Sequence, residues 1–314
     1  MGTRRRPVIL GVVGDSAAGK TTLSQGIREA IGPDRVTVIC TDDYHKYNRQ
    51  QRKALGITAL HPDCNYIDIM EQHLRLLREG EPILKPVYNH STGDFDPPEY
   101  VKPAEFVVVE GLLAFHTRAM RECFDVKVYL DPPEELRHMW KIQRDTAKRG
   151  YTPEQVLDSL RKREQDSARF IRPQRKYADI VVRFYPPEGT PPEEANGNLN
   201  VRLVLRPTIP HPDMTDLLEY AGSPDLPPIR LVLGRDDARP VDFLEIDGSV
   251  SPQQTEELEH LIWRHMPPEI EMHPDRLGLY LNGTQVEKSY PLALVQLLLA
   301  YHLFVARDLP HTVR

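Results

Sequence analysis

Cysteine is scarce: three residues, Cys40, Cys64 and Cys123, in a chain of 314. They stand far apart and match no metal-ligand spacing, so neither a disulfide framework nor a zinc site is expected, and reduced thiols in a cytoplasmic protein are. A basic excess is also missing. Lys and Arg number 40 against 46 Asp and Glu, a net charge of −6 that speaks against a nucleic-acid partner. The run Arg4-Arg5-Arg6 reads as a solvated tail. No apolar run reaches the roughly 20 residues of a membrane span. The longest, 291–305, is interrupted by Tyr301 and His302, and is expected as a buried core or interface helix. Arg4 to Arg6 ahead of the apolar stretch 8–13 has the outline of an export signal. That stretch stops at Gly14 with no cleavage site behind it, so neither export nor membrane attachment is expected.

What is present is a globular pattern: 40% apolar and 27% charged residues, enough to bury a core. Strand-length apolar runs occur at 8–13, 36–40, 106–109, 126–130 and 180–184. They are continuous rather than alternating, as in strands covered on both faces of a parallel sheet. A helix is predicted over 21–31, stopped by Gly32-Pro33, and another over 134–149. After Gly150 and Tyr151 a further helix starts, with Thr152 as N-cap, Pro153 first and Gln155 completing a capping box. The segment 186–200 is proline-rich and acidic, a linker or exposed loop. Beyond it, strands are predicted at 201–205, 229–233 and 243–246, and a helix over 251–266 capped by Ser251 with Pro252 next. The division that follows is 1–185, 186–200 and 201–314, the last a mixed α/β extension.

The sharpest signal is Gly14-Asp15-Ser16-Ala17-Ala18-Gly19-Lys20-Thr21, which fits G-x-x-x-x-G-K-[ST] between a strand and a helix. Such a loop turns successive amide N–H groups and a helix N-terminus toward one phosphate. Lys20 would reach the outer phosphates of ATP, and the Thr21 hydroxyl would bind Mg2+. Glu110 ends a buried strand at the sheet edge where ligands sit, and suits the metal side. Asp42 and Asp43 follow the second strand at that edge. A kinase acting on a hydroxyl needs one carboxylate to take its proton, and two neighbours at a strand end point different ways. His45 with Arg49, and Tyr88, Asn89 and His90 in a stretch broken by Pro86, could hold a sugar and its phosphate. Lys141, Arg144 and Lys148 share a helix face closed by Arg149, either a lid neutralising the transferring phosphoryl group or a solvated basic helix end.

In order along the chain stand GDSAAGKTT, TDDYHKYNR, KPVYNH, VVVEGLL, WKIQRDTAKRGY and FIRPQRKYADIVV. With these motifs, residues 8–184 resemble the phosphoribulokinase and uridine kinase family of P-loop kinases, closest to its plant and cyanobacterial phosphoribulokinase branch. The resemblance implies an α/β P-loop NTPase fold with a nucleoside-monophosphate-kinase-like core, a mostly parallel sheet, and a C-terminal extension used in a homodimer. It implies ATP and Mg2+ held by residues 14–21 and Thr22, with Thr21, Glu110 and Asp42 at the metal. It implies Asp42 as general base, and His45, Arg49, Tyr88, His90, Lys141 and Arg149 around ribulose 5-phosphate. Lys20, Arg144 and Asp145 would serve the transfer step. Ala18 stands where oxygenic relatives carry a P-loop regulatory cysteine, although Cys40 matches its partner position. No cysteine follows Cys123, so their C-terminal pair is missing as well. Activity insensitive to strong oxidants and reductants is the expectation; reversible oxidative loss would contradict it. A uridine or other nucleoside kinase would share the P-loop and Glu110 without requiring the DDYH, YNH and KIQRD set together. A regulatory nucleotide binder would not need Lys20, Thr21, Asp42 and Glu110 all intact, and a nucleic-acid-dependent ATPase conflicts with the acidic balance.

Overall fold

The computed structural model describes residues 6–195, 198–220, 227–267, 270–282 and 285–309; Arg4 and Arg5 lie outside them, as does the Lys148 side chain. Its centre is an eight-stranded sheet in the order β2-β5-β1-β6-β7-β8-β10-β9. β1 (Val8–Gly14), β2 (Val36–Cys40), β5 (Phe106–Gly111), β6 (Val126–Leu130) and β7 (Ile180–Tyr185) run parallel. β8 (Asn200–Leu205), β10 (Arg239–Ile246) and β9 (Ile229–Asp236) continue the same sheet antiparallel. Residues 186–199 therefore connect two neighbouring strands. β3 (Ile83–Asn89) and β4 (Asp94–Val101) form a separate hairpin, as do β11 (Leu279–Asn282) and β12 (Gln285–Lys288).

The continuous apolar runs follow from burial on both faces. In β1, Val8, Leu10 and Val12 enter one core while Ile9 and Val13 enter the other. The first core is closed by α1 (Lys20–Ile31), α7 (Pro252–Arg264) and α8 (Tyr290–Asp308). The second is closed by α3 (Ile67–Glu79), with α4 (Arg118–Glu122) beside it, while α2 (Arg49–Leu55) lies outside. α8 is long and apolar enough to cross a membrane, yet 78% of its apolar window is buried inside the fold. Its Gln296 sits against Gly26 of α1, where an added Cβ would come within 1.9 Å of the Gln296 amide nitrogen. Glycine at that position is what lets the two helices approach so closely.

α5 (Glu134–Arg149) ends at Gly150 in the left-handed conformation (φ 67°). α6 (Pro153–Asp166) opens on the Thr152–Gln155 capping box and runs on into a π-helical turn at Ser167–Ile171. The Ser251 cap of α7 has the same form, with Gln254 completing its box. Pro86 does not break its segment: it lies inside β3, where the register slips between Lys85 and Val87, the bulge that a residue without an N–H permits.

Candidate active site

β1 feeds straight into the loop before α1. Ala17 (φ 66°) and Gly19 (φ 95°) take left-handed backbone, curling the chain round the site. The Lys20 ammonium donates to the Gly14 and Asp15 carbonyls, both at 2.9 Å, spanning the loop's mouth. Asp15 is nearly buried; it accepts from the Ser16 amide (2.7 Å) and the Ser167 hydroxyl, with Arg137 at 3.8 Å. The π turn after α6 is thereby clipped to the P-loop. Ala18 is buried, whereas Thr21 and Thr22 face solvent.

β2 and β5 pair so that Cys40 is opposite Glu110, bringing the turn after β2 and the Glu110 carboxylate to one sheet edge. The Thr21 hydroxyl donates to Glu110 at 2.9 Å. Burial raises the Glu110 carboxyl, against the pull of Lys20 and the Thr21 hydrogen bond. No group of three or more His, Cys, Asp or Glu with metal-binding geometry occurs among the described residues. A hydroxyl beside a carboxylate suits a hard cation that takes its remaining oxygens from phosphates and water, so Thr21 and Glu110 fit Mg2+.

The Thr41–Tyr44 turn separates the two aspartates. Asp43 is occupied: Lys85 donates to it at 2.5 Å and the Tyr88 amide at 3.1 Å. Asp42 is within electrostatic reach of Lys20, His45, His90 and Arg163. Burial alone would raise its carboxyl; Lys20 and Arg163, with the two histidines at the acid pH where they are protonated, outweigh burial and hold it below the usual range. His45 is buried with Nδ1 2.7 Å from the Asn65 side-chain oxygen, and its ring meets Tyr88 edge-on at 4.8 Å. Tyr88 meets His90 at 5.0 Å. Burial lowers both histidines, favouring neutral rings at pH 7.

Asp145 is the hub of α5. Lys141 (2.9 Å), Arg144 (2.8 Å) and Arg149 (3.5 Å) all converge on it. Burial opposes ionisation of Asp145, yet hydrogen bonds from Arg144 and Lys141 bring it down to about 2. Burial and the Arg163 charge bring Lys141 down to about 8, against Asp145. Lys141 is thus a buried, paired cation rather than part of a solvated helix end.

The structure rearranges the arginines. Arg49 donates to the His90 carbonyl at 2.5 Å, so it braces the tip of the β3–β4 hairpin. Arg52, one turn on, reaches inward: it donates to the Tyr88 hydroxyl at 2.6 Å and lies 4.8 Å above that ring. The Arg163 side chain of α6 makes no hydrogen bond or ion pair among the described residues, yet its charge acts on Asp42, Arg52, Asp145 and Arg149. Neither Arg52 nor Arg163 is singled out by the sequence motifs. A signal for Arg163 exists: Val156, Leu160 and Ser167 mark the buried stripe of its helix, and Arg163 falls on that stripe. A charge there needs a partner, and an anionic ligand is one.

A cleft of about 580 Å³ lies elsewhere, on the extension, lined by His211, Asp213, Leu231, Leu233 and Asp242 among others. It offers no Lys or Arg to a phosphate, whereas the P-loop edge offers several.

The family model for "Phosphoribulokinase / Uridine kinase family" matches residues 9–191, more than half the chain. The chain is 37% identical over 304 residues to a phosphoribulokinase of Synechocystis sp., covering 91% of this chain and 88% of that protein. It is 32% identical over 306 residues to a chloroplastic phosphoribulokinase of Mesembryanthemum crystallinum, covering 88% and 74%. In fold it is similar to the solved phosphoribulokinase from Rhodobacter spheroides, with a TM-score of 0.58 at 20% identity, covering 83% of this chain and 98% of that one. Phosphate loop, edge carboxylates and family model coincide on one stretch of sequence: the chain belongs to the phosphoribulokinase and uridine kinase family.

Proposed function

We propose that the protein transfers the terminal phosphoryl group of ATP to a hydroxyl of ribulose 5-phosphate, giving ADP and ribulose 1,5-bisphosphate. The observation that carries this reading is the set of cations facing the acceptor side of Asp42. Arg149 and Arg163 are within electrostatic reach of Asp42, and Arg52 is within reach of Arg163. A nucleoside acceptor carries no phosphate to answer three guanidinium groups; a sugar phosphate does. The similarity to phosphoribulokinases over most of the chain supports the same acceptor.

In this mechanism the loop amides of 14–19 and Lys20 hold the ATP phosphates. Thr21 and Glu110, with Asp42 toward the acceptor, would hold Mg2+, which would supply charge neutralisation to the phosphates. His45, Tyr88 and His90 pack against the sugar, and Arg49 fixes the hairpin that presents them. Asp42, kept ionised, accepts the proton of the attacking hydroxyl as the new P–O bond forms and the bond to the ADP oxygen breaks. Lys141 and Arg144, oriented by Asp145, face the charge that develops on the transferring group. We infer that the segment 141–155 closes over the reactants as a lid and excludes water.

The test is ADP release with Mg2+ and ATP, comparing ribulose 5-phosphate, ribose 5-phosphate, uridine, cytidine and no acceptor. Release that depends on ribulose 5-phosphate, and that Asp42→Asn reduces by about 10²- to 10⁴-fold, is the expected result. Release with uridine instead would reassign the acceptor.

A further inference from the structure

The β3–β4 hairpin presents Tyr88 and His90 to the site, yet no strand of the central sheet pairs with it. β4 is exposed along nearly its whole length. Backbone ladders therefore do not set the hairpin's angle to the sheet, and side chains must. At its base Ile83 packs into the core with Leu74 and Leu77 of α3. Its middle is tied by a single carboxylate: one Asp43 oxygen takes the Lys85 ammonium and the other takes the Tyr88 amide.

The bulge at Pro86 makes this double grip possible. Residues three apart on a regular strand face opposite sides. The register slip between Lys85 and Val87 returns Tyr88 to the buried side that Lys85 and Ile83 occupy. Lys85 is 6% exposed, and its other acidic neighbour, Glu99 at 3.6 Å, faces solvent. A buried ammonium is a poor source of stability where an apolar side chain would pack as well, but a charge pair fixes one geometry.

We propose that Lys85 and Asp43 form a positioning strut that holds the acceptor wall, Tyr88 and His90, in register with the base Asp42. The proposal rests on the acceptor reading above. Asp43 touches no reactant; it acts through the hairpin. The strut sits on the acceptor side alone, so ATP binding at the P-loop is independent of it.

Steady-state kinetics of Lys85→Met, Asp43→Asn and the double variant test this, with Lys85→Arg as the conservative control. They use whichever acceptor the wild-type protein phosphorylates, so a wrong acceptor assignment shows first in the wild type and leaves this test intact. Each single variant is expected to lose about 10- to 100-fold in kcat/KM for the acceptor, the scale of a displacement near 1 Å. KM for ATP should stay within about twofold, and the double variant should lose no more than the worse single, because both remove one contact. Lys85→Arg should recover most of the loss. Parallel rises in both KM values, or single losses that multiply in the double variant, would overturn the strut. If a single variant does not fold, the charge-free double variant decides: acceptor kinetics like wild type would overturn it, and a selective loss for the acceptor would support it.

Discussion

Asp42 and Asp43 carry the same side chain one residue apart, and their neighbours separate them. One faces Lys20, His45, His90 and Arg163; the other is taken by Lys85 and the Tyr88 amide. The strand end in the sequence indicates that only one of the two can face the acceptor, but not which, because the deciding partners lie more than 40 residues away. Arg52 and Arg163 show the same limit: their side chains converge only through tertiary folding. Lys141 makes a prediction at this scale. Its ammonium sits at about 8, lowered first by burial. It is charged below that pH and loses its proton as pH rises through it. If it neutralises the transferring phosphoryl group, kcat/KM falls on the alkaline side near pH 8. Lys141→Arg should move that limb upward, because a guanidinium stays protonated. An alkaline limb unchanged in Lys141→Arg would mean another group sets it. Asp42, held below the usual carboxylate range, contributes no limb near neutral pH.

Among the elements, those with local signals were legible. The capping box at Thr152 and the cap at Ser251 stand where the residues indicate, and β2, β6 and α5 keep the bounds that their runs suggest. β9 and β10 run further than their apolar cores. The backbone pairing continues through Arg and Asp residues at the hairpin, where Asp236 is gripped by Arg175 (2.9 Å) and Arg206 (2.7 Å). β4 offers no apolar alternation, since it is exposed and contains Pro97 and Pro98; only its pairing with β3 defines it. α3 does carry a helical stripe in Met70, His73, Leu74 and Leu77. The contact between α1 and α8 is testable by Gly26→Ala. The new methyl would collide with Gln296, which donates to the Thr22 carbonyl and accepts from the Gly278 amide. Overpacking of this kind costs about 1–3 kcal/mol, so thermal unfolding should shift downward. KM for ATP should rise with it, because α1 begins at Lys20. A variant with an unchanged melting temperature would show that Gln296 simply swings away.

At the scale of the molecule, one sheet joins the kinase core to the extension; among the described residues no further strand pairs with its last strand, β9, and residues 215–220 pack beside it. Val232 and Leu233 on that strand are 38% and 66% exposed. An apolar unpaired edge is a template for another strand, and we propose that a second copy of this chain covers it to give the homodimer. Light scattering should report twice the chain mass for the wild type and the single-chain mass for Leu233→Glu; a monomeric wild type would refute the pairing. α8, at the other face, has a different consequence. The Gln296 amide reaches a carbonyl of the P-loop helix across 274 residues of sequence. α1 thus has its partner in a segment that is made more than 200 residues later. During synthesis the apolar face of α1 that meets α8 stays uncovered until residues 290–308 emerge.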